Sequence, residues 1–165
     1  MSGLEHKYHY EIIGHSGESH KITFVGPGSV TDAGSNDGMP RTRGDRLAVV
    51  QEMYSHASFC MSGDHTLAAA ISAVEDVTQE PGDDYYVFML SDANLAMYGV
   101  SPKSLATALM SDPMVNSYAI FIAGEAAAES LKQEMPVGHA HVVLDTQDLP
   151  RIFKDIFSHS LLKDA

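Results

Sequence analysis

Tryptophan is missing from this sequence, and cysteine occurs once, as Cys60. A lone cysteine excludes an intramolecular disulfide, so nothing here suggests a secreted, cross-linked scaffold, and the usage fits a reducing, intracellular setting. Basic residues are scarce. Ten Lys and Arg face 22 Asp and Glu, a formal charge of −12. A field of that sign repels nucleic acid and anionic lipid surfaces and favours cations or basic partners, though it equally serves plain solubility. No apolar run approaches the roughly 20 residues that a membrane helix needs. The first ten residues are polar and His-rich. They lack both the apolar core of a secretory signal and the Arg-rich pattern of an organellar presequence, so no targeting signal is expected in this chain.

Two phosphate-binding patterns are missing as well. There is no Gly-x-x-x-x-Gly-Lys-Ser/Thr loop, so ATP hydrolysis is not expected of this stretch. Gly14, Gly17, Gly26 and Gly28 do not form a dinucleotide fingerprint. The run Gly14-His15-Ser16-Gly17-Glu18 begins like a hydrolase nucleophile elbow, but Glu18 stands where the last glycine should be. A second strand, not the required helix, is expected to follow.

What is present suits an α/β domain. The 165 residues are 44% hydrophobic, enough for one sizeable core built from Ile, Leu, Val, Met and Ala. Residues 8–14 and 21–25 read as two short antiparallel strands around a turn. Residues 26–44 hold Gly, Pro, Ser, Asn and Asp with few apolar side chains and read as a polar surface loop. Asp45 is placed to cap a helix from Arg46 to about His56, with Leu47, Val50, Met53, Tyr54 and Ala57 on its core face. A second helix starts near His65, with Leu67, Ala70, Ile71, Val74 and Val77 inward. Residues 85–90, 117–122 and 141–144 are continuous apolar runs, as expected of strands buried on both faces of a parallel sheet. Helices lie between them, one opened by Ser101-Pro102, another over about 126–134. A final helix carries Leu149, Ile152, Phe153, Ile156, Phe157 and Leu161 as one stripe. This alternation predicts a single domain with a three-layer, doubly wound sheet, with 85–90 at or near its centre and 21–25 at its edge.

Nine histidines raise a zinc reading, through His6 with His9 or His139 with His141. Neither pair makes a four-ligand site, and no second cysteine completes a thiolate set. Two segments carry more. Ser62-Gly63-Asp64-His65-Thr66-Leu67 stands at a helix start, and Leu90-Ser91-Asp92-Ala93-Asn94 at the C-terminal end of a buried strand, where open α/β sheets bind ligands. Thr66, Asp64 and Asp92 offer hard oxygen donors suited to Mg2+, Ca2+ or Mn2+. The plain alternative is that Asp64 or Thr66 caps its helix and Asp92 its turn.

At these residues the sequence resembles the von Willebrand factor A domains. A Thr opening a helix and an Asp closing a buried strand look like the last two elements of their metal-ion-dependent adhesion site. Several stretches are similar to the A domain at the C-terminus of a family of large mitochondrial AAA+ ATPases: Ser58 through Asp64-His65-Thr66-Leu67, Leu90 to Leu95 with Tyr98-Gly99, Val115-Asn116 before Tyr118 to Ile122, and Asp145-Thr146 through Leu149-Pro150 to Leu162. The likeness runs over about residues 5–162. It implies a protein-interaction module whose metal ion accepts a carboxylate from a partner protein. It further implies AAA+ ATPase modules in cis, a mitochondrial setting and no catalysis within this stretch. Thr66 and Asp92 are the matching metal positions, with Asp64 a rival for the first. The family's Asp-x-Ser-x-Ser stretch has no counterpart, since Asp32-Ala33-Gly34-Ser35 does not fit. The family's first strand and helix are therefore expected to be absent and the metal site incomplete. Two other readings remain: a structural domain with a vestigial site, and an α/β enzyme using Asp92 and a histidine.

Overall fold

The computed structural model describes residues 8–29, 37–60, 63–122 and 125–163. The expectations for His6, for 30–36 of the polar loop and for the Leu161 side chain fall outside what is described. The chain divides into two compact units, Met1–Ala69 and Ala70–Ala165.

In the first unit, β1 (Ile12–Gly14) pairs antiparallel with β2 (Ile22–Val25). Both strands are shorter than expected, and Tyr8 and Tyr10 are exposed. Helix α1 (Arg43–Phe59) also starts earlier than expected. Its cap is Thr42, not Asp45. Asp45 is the third helical residue, and its carboxylate accepts from the backbone N–H of Thr42 while the Thr42 hydroxyl accepts from that of Asp45. This reciprocal capping box satisfies two N–H groups that would otherwise lack partners. The Thr42 contacts also hold the Asp45 carboxyl below its ordinary range.

The packing of α1 overturns its expected face. Val49 alone is buried, against Phe24 and Val25, while Leu47, Val50, Met53 and Tyr54 are exposed. Two strands form only a narrow platform, and the helix meets it along Val49 and His56, whose ring stands edge-on to Phe24. Leu47, Val50 and Tyr54 lie on a different side of the helix cylinder from Val49.

Helix α2 (Thr66–Val77) buries Thr66, Ala69, Ala70 and Val74, while Ile71 is exposed, against expectation. The second unit holds β3 (Tyr85–Ser91), α3 (Pro102–Leu109), β4 (Val115–Ile122), α4 (Glu125–Glu134), β5 (Ala140–Val143) and α5 (Leu149–Lys163). A single turn of 3-10 helix, Leu95–Tyr98, follows β3 and was not expected. Ser101 caps α3, with proline in the first turn, as its sequence implies.

The three strands form a parallel sheet in the order β3-β4-β5, making the fold an α/β, Rossmann-like one with helices flanking the sheet. Among the described residues its middle strand is β4, with β3, expected at or near the centre, beside it; residues 21–25, expected at its edge, pair instead with β1 in a separate two-stranded sheet. β3 pairs with β4 alone among the described residues, whereas β4 is hydrogen-bonded on both sides. The burial follows. Ser117, Ala119 and Phe121 on one face and Ile120 on the other are all 0% exposed. Helix α5 packs Ile152 and Ile156 against Tyr118, Ile120 and Val143, and its Phe153 and Phe157 rings meet Phe88. Its expected stripe is the observed one. Among the described residues, no helix is long and apolar enough to cross a membrane.

Candidate functional site

Residues 14–17, which turn away from β1, meet residues 63–66, which lead into α2. A short backbone ladder joins them. Ser16 and Asp64 form an isolated antiparallel bridge, Gly17 N–H donates to Gly63 O at 3.2 Å, and His65 N–H donates to His15 O at 3.0 Å. The His65 ring fastens the same turn, its Nε2–H donating to Gly17 O at 3.0 Å. Gly63 is required here because a Cβ at that position would lie 2.6 Å from Gly17 O. Ser16 is thus engaged in a ladder and is followed by a strand, so the hydrolase elbow has no helix to complete it.

This ladder delivers three side chains to one point. The Thr66 hydroxyl donates to Asp64 Oδ1 through a very short hydrogen bond. Thr66 N–H donates to the same oxygen at 2.7 Å. His15 Nδ1 stands 3.4 Å from Thr66 Oγ1 and 3.5 Å from Asp64 Oδ1. With its own proton directed to Asp64, the Thr66 oxygen can only accept from His15, which places a hydrogen on Nδ1. Thr66 is 1% exposed, and the Asp64 and His15 side chains 13% and 23%. Asp64 thereby does the work of a helix cap, satisfying an N–H at the start of α2. It also presents a carboxylate beside a hydroxyl, which is part of the donor set a hard divalent cation takes. Sequence spacing missed His15. It stands 51 residues from Thr66, and the only signal was its place in the Gly-His-Ser-Gly turn.

Asp92 belongs to the second unit, just beyond β3. It is exposed, and both its oxygens are in use: Oδ1 accepts from Asn94 N–H and Oδ2 from the Asn94 side-chain amide, each at 3.1 Å. Ala93, between them, has φ 67°, a left-handed conformation unusual for a residue with a Cβ. The turn is held as well by Ser91 Oγ, which accepts from Ala93 N–H. A cation at Asp92 would have to take the place of the Asn94 contacts. Among the described residues, no three His, Cys, Asp or Glu side chains come together as a metal-holding group.

His139 and His141 flank Tyr118 across the sheet, at ring distances of 5.5 and 6.2 Å. His139 Nδ1–H donates to Ser117 O at 2.9 Å, and His141 Nε2 is buried without a hydrogen-bond partner among the described residues. Burial, aided by Lys132 and His139 and opposed by Asp155, lowers the His141 pKa below its ordinary 6.5. The unfolded chain therefore takes up a proton at higher pH than the folded one. The stability of the second unit should be unaffected above pH 6.5 and fall as the pH drops below 6.5 towards the folded value. Urea midpoints between pH 7.5 and 5.5 test this. The decline should shrink in His141→Phe, and an unchanged decline in that variant would exclude His141 as its source.

No protein-family model matches the chain, and no solved structure does. The mouse von Willebrand factor A domain-containing protein 8 is 40% identical to it over 164 residues, which is 98% of this chain and 8% of that protein. This sequence therefore spans a small part of the curated relative it matches. Nearly all of its own length resembles one segment of that much longer protein.

Proposed function

We propose that the chain is a protein-interaction module whose contact is assisted by a divalent cation, Mg2+, Ca2+ or Mn2+, at the start of α2. One observation carries the reading: the Thr66 hydroxyl and Asp64 carboxylate are brought together at a single point by the ladder from residues 14–17. When bound there, the cation would supply an open coordination position for a carboxylate of a partner protein. Thr66 and Asp64 are the residues that would hold it, and Asp92 is the further position that the motif resemblance names. On this reading the module serves a larger AAA+ ATPase in mitochondria, whose catalytic parts lie in other segments.

One carboxylate and one neutral hydroxyl give little anionic charge, so Mg2+ should bind no more tightly than roughly the millimolar range of weak oxygen-ligand sites. Asp64→Ala should remove that binding. Attaching an upstream strand that ends in Asp-x-Ser-x-Ser should tighten it. Calorimetry with Mg2+ and Mn2+ reads each outcome, and micromolar binding indifferent to Asp64→Ala would place the ligands elsewhere. A purely structural role is the second reading. It is favoured by the way Asp64 Oδ1 accepts from both the hydroxyl and the N–H of Thr66, as a helix cap does.

A further inference from the structure

We infer that α1 is a dimer seam, along which a second copy of this chain packs its own α1 antiparallel. Four apolar residues of this helix, Leu47, Val50, Tyr54 and Ala57, are exposed. They are spaced by three, four and three, the pattern by which one helix buries a narrow stripe against another. At about 100° per residue they fall within about 80° of the cylinder. Leu47, Val50 and Tyr54 are 58, 59 and 74% exposed, and Met53 flanks them. The two-stranded platform is met by Val49, to one side of this stripe, and leaves the stripe itself uncovered.

A second copy fits the stripe because the stripe is complementary to itself. In an antiparallel pair, Leu47 of each copy meets Ala57 of the other, and Val50 meets Tyr54, so each bulky side chain faces a smaller one. A parallel pair would set Tyr54 on Tyr54 and Ala57 on Ala57, crowding one level and emptying the next. The antiparallel pair has a twofold axis, so the contact closes at two copies. Charge does not oppose it at the seam. The chain carries −12, but the acidic residues of α1, Asp45 and Glu52, project from the opposite side of the cylinder. Arg46 borders the stripe, and in the antiparallel pair the two Arg46 side chains stand about 18 Å apart along the axis. A seam three turns long falls short of the roughly 800 Å2 per partner of a stable complex, so association should be weak, at about 10–100 µM.

Sedimentation of the full chain from about 5 to 300 µM tests this. The dimer should tighten at least about threefold between roughly 0.02 and 0.3 M NaCl, because salt screens the repulsion between two acidic chains and leaves the apolar seam intact. Val50→Ser combined with Tyr54→Ser should weaken it at least about tenfold. Leu144→Ser, at an exposed apolar residue outside α1, should leave it unchanged. In a Cys60→Ser background, Leu47→Cys and Ala57→Cys chains should form a disulfide when mixed and oxidised. Neither should do so alone, since like positions lie about 15 Å apart along the axis, too far for the bond. A chain that stays monomeric at about 300 µM in high salt overturns the inference, as does a dimer indifferent to the paired serine substitutions. Cross-linking of Leu47→Cys with itself overturns the antiparallel seam. If the paired serine substitutions lower the urea midpoint of dilute monomer as much as Phe121→Ala does, this chain covers the stripe itself, and the inference is again overturned.

Discussion

Phe121→Ala should lower the stability of the Ala70–Ala165 unit by about 3–5 kcal/mol, the cost of emptying a well-packed aromatic site. Phe121 is 0% exposed on the middle strand of the sheet, paired with Ser91 on one side and Val142 on the other. A strand hydrogen-bonded on both edges cannot shift to refill the space, so the cavity term adds to the lost transfer energy. A typical domain is stable by only about 5–15 kcal/mol, so the change would remove a large share of the total. Leu144→Ala, at a position 66% exposed just past β5, should stay within about 0.5 kcal/mol. Urea unfolding followed by near-UV circular dichroism of tyrosine measures both, since the sequence lacks tryptophan. A Phe121→Ala loss no larger than that of Leu144→Ala would show that β4 is not the centre of this core.

Two glycine substitutions should change stability in opposite directions. In Gly63→Ala the new Cβ would stand 2.6 Å from Gly17 O, and the obstacle is backbone that belongs to the ladder itself. Residues 14–17 must separate from 63–66, with a loss of about 1–3 kcal/mol from overpacking. Gly44 sits near the start of α1, where an added Cβ meets only Thr42 Oγ1 at 3.5 Å. There the smaller unfolded-state entropy of alanine should raise stability by about 0.4–1 kcal/mol. Thermal melts and amide exchange at His65 and Gly17 separate the two. Equal shifts of the same sign would mean that the close approach at Gly63 does not hold in solution.

Much of the fold was legible because the signals were local. Residues 118–122 are continuously apolar, and a strand of that kind is satisfied only when both faces are covered. The stripe of α5 repeats with helical period and packs as that period implies. Ser101-Pro102 states a helix start outright. At the start of α2, Thr66 and Asp64 could be picked out as a hydroxyl and a carboxylate at a helix start. His15 could not, because its neighbours lie far along the chain.

The sequence by itself determined that this chain alternates strands with helices, that its apolar runs are buried, and that its charge is strongly negative. Each property follows from side-chain chemistry and period along a few residues. The tertiary structure alone decided three other matters. It made β4 the middle strand, because pairing on two edges depends on which neighbours arrive, and β3 and β4 are equally apolar in sequence. It buried Val49 and left Leu47, Val50 and Tyr54 exposed, because a helix buries the side that meets its platform, whatever its other sides carry. It set His15 beside Asp64 and Thr66, because a backbone ladder at Ser16 and Asp64 closes a loop of nearly fifty residues whose interior carries no trace of the contact. Convergence of that kind belongs to loop closure and packing, which act on the folded chain as a whole.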